Sequence, residues 1–232
     1  MKMPTTFASS IVSLPSLGGS VRVRVAGPEQ ANNAVTFLAL PGMGRTDNKD
    51  WERVITAGDL TTKANLRAIL PDPLSNFNTA PSFFEFAVVR TCTTLFGNVR
   101  YPCREDWLLD VLASQRSSTL DDETRSGDEG VVLAGHSWGG GAAARFAVAH
   151  PEMVSRLVLV SPDVEHHVAK QLKVPTLLIW SRDDVINPFF WTRRFKGHPA
   201  LTLHATDKGG HMIMESHADV IANWLIQSQQ PA

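Results

Sequence analysis

The sequence predicts an α/β fold, a mostly parallel central sheet flanked by helices and built as one domain over residues 1–232. Three observations carry this expectation. Short apolar runs of strand length alternate with helix-length segments along most of the chain, the pattern of a parallel sheet covered on both faces. At 232 residues the chain can bury one sizeable core without dividing. The pentapeptide Gly135-His136-Ser137-Trp138-Gly139 stands between the apolar run 131–134 and a stretch of small residues that begins at Gly140, as where a strand turns sharply into a helix.

Taken in order, residues 1–10 are expected to fray, and a hairpin to begin near Ile11. Val21-Arg22-Val23-Arg24-Val25 alternates like a strand with one exposed face. The same region is rich in Ser and Thr and holds no acidic side chain before Glu29, a composition shared with organelle transit peptides; the alternation favours an ordered hairpin instead. Strands are then expected at 35–40, 66–70, 131–134, 157–160, 176–180 and 201–204, each an apolar run. Helices are expected at 50–63, 82–96, 105–114, 140–150, 188–195 and 218–227. In the fourth of these, Gly140, Gly141 and Ala142 to Ala144 are small enough to pack close against the preceding strand, and His150-Pro151 supplies the stop. Residues 115–130 are polar and acidic and read as a solvated loop.

Composition excludes several functional classes. Lys plus Arg number 22 against 23 Asp plus Glu, a net charge of -1, and no long basic run appears, so neither nucleic acid nor an anionic membrane is an expected partner. The apolar stretches are strand-sized, below the roughly 20 residues of a membrane-crossing helix. Cys92 and Cys103 form neither a disulfide framework nor a metal-like pair and read as reduced thiols of a cytoplasmic protein.

The chemistry centres on Ser137. A nucleophile on so sharp a turn leaves no room for side chains beside it, which accounts for Gly135 and Gly139 as steric requirements. A serine hydroxyl needs a base, and the sequence offers 8 histidines. His136 is expected to pack behind the turn. His150 closes a helix, His166 and His167 lie in a polar helical segment, and His198, His204 and His217 have no turn chemistry around them. His211 differs, because Gly209-Gly210 lets the backbone turn tightly after the last strand and bring the imidazole back over the sheet edge. The segment Trp180-Ser181-Arg182-Asp183-Asp184-Val185-Ile186-Asn187-Pro188 offers two carboxylates, Asp183 and Asp184, to orient that imidazole.

The chain order serine, acid, histidine resembles that of the α/β-hydrolase superfamily, and the resemblance runs from about residue 20 onward. Members carry the acid in a loop of the form W-G-x-x-D-x-x-x-P; alignment on Pro188 selects Asp184, with Ser181 departing from the usual glycine. The superfamily's oxyanion loop, H-G-x with a tryptophan further on, is similar to Leu40-Pro41-Gly42-Met43-Gly44-Arg45 with Trp51. Pro41 replaces the histidine, but the hole uses backbone donors, so the resemblance implies the amides of Met43 and Trp138. Arg45 reads as a solvated loop residue, the alternative being an anchor for an anionic substrate. Only about one helix fits between Ser161 and Val174, which leaves no lid domain there; Phe83, Phe84 and Phe86 either line the pocket mouth or pack a helix on the sheet. The resemblance implies a serine hydrolase with the triad Ser137, Asp184 and His211, acting on a small-molecule ester, thioester or similar acyl compound with no metal or organic cofactor. An acyltransferase, a C–C or C–CN cleaving enzyme and a ligand-binding protein with a retained triad are the alternatives.

Overall fold

The computed structural model describes residues 5–28, 34–72, 105–115 and 130–227. The expected helix at 82–96 with its phenylalanines, both cysteines and nearly all of the acidic 115–130 loop lie outside the described residues.

One sheet of 8 strands organises the chain. In chain order these are β1 (Ala8–Leu14), β2 (Gly19–Ala26), β3 (Val35–Leu40), β4 (Leu66–Pro71), β5 (Val131–His136), β6 (Val154–Val160), β7 (Thr176–Ser181) and β8 (Leu201–Thr206). They lie side by side as β1-β2-β4-β3-β5-β6-β7-β8. β1 and β2 form an antiparallel hairpin that joins β4 antiparallel, and all pairings from β4 through β3 to β8 are parallel.

The inner parallel strands β3, β5 and β7 are largely apolar and buried because both of their faces are covered, whereas the edge strand β8 is exposed or half-buried along its length. In β3, Leu38 and Leu40 face one layer while Phe37 and Ala39 face the other, and all four are buried. The first layer holds α3 (Trp107–Ser114), α4 (Trp138–Ala149) and α5 (His166–Gln171), packed through Leu108, Phe146 and Val168. The second holds α1 (Lys49–Gly58), α2 (Leu60–Lys63) and α6 (Ala218–Gln227), packed through Trp51, Leu60 and Ile221. The connection from β6 to β7 is α5 and short loops, with no lid domain.

Several boundaries differ from the sequence expectation. The hairpin begins at Ala8 rather than near Ile11, since Ala8, Ser9 and Ser10 pair with Val25, Arg24 and Val23, so the end of the expected frayed segment is strand. The 50–63 helix is two helices, because Asp59 takes the left-handed conformation (φ 53) and its amide caps α1 on the carbonyls of Ile55 and Thr56. β6 starts at Val154, earlier than 157, and the 188–195 helix is a 3-10 helix from Phe189 to Phe195 whose Trp191 amide bonds to the Pro188 carbonyl. Arg24, on the face of the hairpin expected to be exposed, is instead nearly buried in ion pairs with Glu52 (2.7 Å) and Asp72 (2.5 Å).

Candidate active site

Ser137 is the one residue between β5 and α4 and holds φ 53, ψ -120. A non-glycine residue there stores on the order of 1–3 kcal/mol of strain, and the surroundings over-determine the turn. The Ser137 amide donates to the Val160 carbonyl (3.0 Å), while its own carbonyl accepts from the amides of Gly141 (3.2 Å) and Asp163 (2.9 Å). A side chain at Gly135 would collide with the Gly139 carbonyl, and one at Gly139 with the carbonyls of Leu40 and Pro41. Both glycines are therefore required by close approach of backbone. Trp138 opens α4, so its amide is one of the first-turn donors that have no partner within a helix.

Asp184 and His211 come from the ends of the last two strands at the sheet edge, β7 and β8. Asp184, 4% exposed, follows β7, and its Oδ1 accepts the amides of Ile186 and Asn187, each at 2.9 Å. Its Oδ2 faces His211 Nδ1 at 2.8 Å. Burial opposes ionisation of Asp184, but the hydrogen bonds from His211 and the Asn187 amide outweigh it and hold the carboxyl below its ordinary range. The loop is clasped from behind, because Asn187 Nδ2 donates to the Ser161 carbonyl (2.7 Å) and Trp180 Nε1 to the Asn187 carbonyl (2.8 Å). His211 follows Gly209 and Gly210, at φ 138 and 62, after β8.

Asp183 takes a different part. Its Oδ1 accepts the hydroxyl of Ser181 and the amide of Gly210 (2.8 Å), so it fastens the turn that precedes His211. The Ser181 hydrogen bond foremost, then that from Gly210, holds its carboxyl below the ordinary range. Ser181, the departure from the usual glycine, is thus half of a brace on the histidine loop.

The loop after β3 lies against the nucleophile, since a Cβ built on Gly42 would stand 3.5 Å from that of Ser137. Two buried side chains that sequence reasoning left unassigned, or only half assigned, order this loop where the superfamily's histidine is replaced by Pro41. Asn48 Nδ2 donates to the carbonyls of Ala39 (2.8 Å) and Pro71 (2.9 Å), and Trp51 Nε1 donates to the Leu40 carbonyl (2.9 Å). Arg45 pairs with Asp50 at 2.7 Å and reaches the Met212 sulfur at 3.4 Å, beside His211.

Ser137, Asp184 and His211 thus follow the C-terminal ends of β5, β7 and β8, and the loop after β3 approaches Ser137 at Gly42. Among the described residues, Ser137 Oγ makes no hydrogen bond to His211; such contacts commonly tighten only with substrate bound. Other histidines lie elsewhere: His150 against Phe146, His204 against His217, and His198 beside Thr176. No group of three metal-ligating side chains occurs among the described residues.

His136 is 2% exposed, and burial, reinforced by the neighbouring His211, pushes its pKa down to about 3. The unfolded chain binds that proton near the ordinary value of about 6.5. Its contribution to stability is therefore fully present above pH 6.5 and is lost progressively as the pH falls toward 3, where the unfolded state binds a proton that the fold refuses. His198 and His204, also shifted down by burial, add in the same direction. Urea midpoints measured at pH 7, 6 and 5 are expected to fall, and to fall less steeply in His136→Gln; equal slopes would contradict the buried neutral imidazole.

A family model for the alpha/beta hydrolase fold matches residues 123–174, which hold β5, the Ser137 turn, α4, β6 and α5. Lipase LipV of Mycobacterium tuberculosis (strain ATCC 25618 / H37Rv) is 35% identical over 89 residues, a match spanning 38% of this chain and 33% of that relative. A predicted CIB-like hydrolase from Thermoplasma acidophilum superposes with a TM-score of 0.68 at 18% identity, over 96% of this chain and 99% of that one. Carboxylesterase CesB (YbfK) from Bacillus subtilis superposes with a TM-score of 0.66 at 16% identity, over 96% and 91%. The chain has the α/β-hydrolase fold. Among the described residues no helix is long and apolar enough to cross a membrane.

Proposed function

We propose that the protein is a serine hydrolase that cleaves a carboxylic ester, thioester or similar small acyl compound through an acyl-enzyme. The observation that carries this reading is the 2.8 Å pair of a buried Asp184 with His211 at the same C-terminal end of the sheet as Ser137 on its strained turn. In the reaction, His211 takes the hydroxyl proton as Ser137 Oγ attacks the carbonyl carbon. Asp184 keeps the His211 proton on Nδ1 and stabilises the imidazolium that forms. The tetrahedral oxyanion is met by the amides of Met43 and Trp138. His211 then gives its proton to the leaving oxygen or sulfur, the acyl-enzyme remains, and water activated by the same imidazole releases the acid. Nucleophile, base, acid and oxyanion donors all come from the chain, so these steps call for no metal or organic cofactor. Similarity to a lipase and a carboxylesterase supports an ester as the substrate class, and the balanced charge and two cysteines fit a cytoplasmic enzyme.

The test is a fluorophosphonate label run beside a panel of p-nitrophenyl esters. Stoichiometric labelling of Ser137 with multiple turnovers is expected; labelling at another serine, or a single acylation without turnover, would reject the proposal.

Acyl length is the second readout. The β6–β7 connection, where a lid would enclose a long chain, holds only α5. Each enclosed methylene contributes roughly 0.8 kcal/mol, about fourfold in kcat/KM. Without that enclosure, kcat/KM is expected to peak at about two to six acyl carbons. A steady rise out to about twelve carbons would show that other parts of the chain wall the site.

A further inference from the structure

His136 precedes Ser137, and the hydrolytic steps above make no use of it, yet its side chain lies between His211 and the loop after β3. Its Nε2 lies 2.9 Å from the carbonyl oxygen of His211. The rings of the two histidines are 4.7 Å apart between centroids and tilted by 53°. On its other side, Nδ1 has no hydrogen-bond partner and faces the oxyanion loop, where a Cβ on Gly42 would stand only 2.8 Å from it.

We infer that His136 is a positioning residue, whose Nε2–H donates to the His211 carbonyl and fixes the height of the catalytic imidazole above Ser137. This rests on the hydrolase reading above. A carbonyl oxygen only accepts, so the bond requires the proton on Nε2. Nδ1 is then a bare lone pair, which suits its place against Gly42, where a bound proton would find no acceptor. Burial keeps the ring neutral, and the charged groups that act on it bear in opposite directions: Arg45 and a protonated His211 disfavour a second proton, and Asp184 favours one.

The consequence is a histidine loop held at two backbone points. The Gly210 amide is tied to Asp183, and the His211 carbonyl to His136. The first tie sets the turn before His211, and the second sets the His211 backbone itself relative to the nucleophile's own strand, because His136 is the last residue of β5. The His211 side chain is separately aimed by Asp184. Losing the His136 tie frees the imidazole to shift by a fraction of an ångström or more, and a displacement of about 1 Å in a reacting group can cost on the order of 100-fold in rate. Gly42 fits the same picture, since any larger residue there would displace the His136 ring.

The test compares His136→Leu with His136→Gln in the full chain. Glutamine can place its amide N–H near the position of Nε2, whereas leucine fills the space without a donor. With p-nitrophenyl acetate, His136→Leu is expected to lower kcat by about 10- to 100-fold with KM within about threefold, and to slow fluorophosphonate labelling of Ser137 by a similar factor. His136→Gln is expected to recover to within about threefold of the parent. Leucine at parental rate, or leucine and glutamine depressed alike at equal thermal midpoints, would overturn the inference. Imidazole 15N–1H correlation spectra of the unsubstituted protein give a readout independent of turnover: His136 is expected neutral with its proton on Nε2 at pH 7, and a proton on Nδ1 would overturn the inference. If the unsubstituted protein neither labels nor turns over ester, the hydrolase reading fails, and the spectra still decide whether the brace exists.

Discussion

Ser137→Ala is expected to abolish fluorophosphonate labelling and to lower ester turnover by about 10⁴- to 10⁶-fold while leaving the fold intact. The turn is built by backbone bonds that a methyl side chain preserves: the Ser137 amide to Val160, and its carbonyl to Gly141 and Asp163. Alanine meets the same left-handed φ that serine already tolerates, so the strain is unchanged and the thermal midpoint should stay within a few degrees of the parent. What disappears is the oxygen proposed to form the acyl-enzyme. A residual rate well above this range, together with label on another serine, would move the nucleophile elsewhere; a protein that fails to fold would show instead that the hydroxyl supports the turn.

The fold and the central residues of the candidate site were legible because each rests on a local signal. β3 and α6 have the boundaries that their apolar patterns suggest, and the sharp strand-to-helix turn is written in small residues around Ser137. The α1–α2 break was not legible, since Asp59 is one of many polar residues that can adopt a left-handed conformation and only packing decides which does. The start of β1 at Ala8 depended on a partner strand that a polar sequence such as Ala8-Ser9-Ser10 does not announce. The two aspartates after β7 show the limit well. Alignment on Pro188 favours Asp184, and the structure joins Asp184 to His211; nothing in the sequence says that Asp183 would turn the other way and seize Gly210. The tie from His136 to the His211 carbonyl and the support of the oxyanion loop by Asn48 are likewise contacts between side chains and distant backbone, 75 and 23 residues away, and no periodicity encodes them.

Asp184→Asn is expected to lower kcat by about 10⁴-fold, whereas Asp183→Asn should cost no more than about tenfold. The difference follows from the donors around each carboxylate. Two amides, those of Ile186 and Asn187, point at Asp184 Oδ1, so an asparagine there must turn its oxygen toward them and its NH2 toward His211. A donor facing His211 Nδ1 forces the imidazole into the tautomer with its proton on Nε2, where it can no longer accept the proton of Ser137. The imidazolium also loses its counter-charge. The fold should persist, because the Ile186 and Asn187 bonds and the clasp of Asn187 on Ser161 survive the exchange. At Asp183, by contrast, asparagine keeps an oxygen for the Gly210 amide, and no charge there faces the imidazole. Because the Asp184 carboxyl is held below its ordinary range, its ionised form persists through neutral pH, and loss of activity in the unsubstituted enzyme between pH 7 and 5 would report protonation of a group other than Asp184. Matched kcat measurements on the two variants, with thermal midpoints to verify folding, decide the assignment: a larger loss at Asp183 than at Asp184 would transfer the acid to the neighbouring residue.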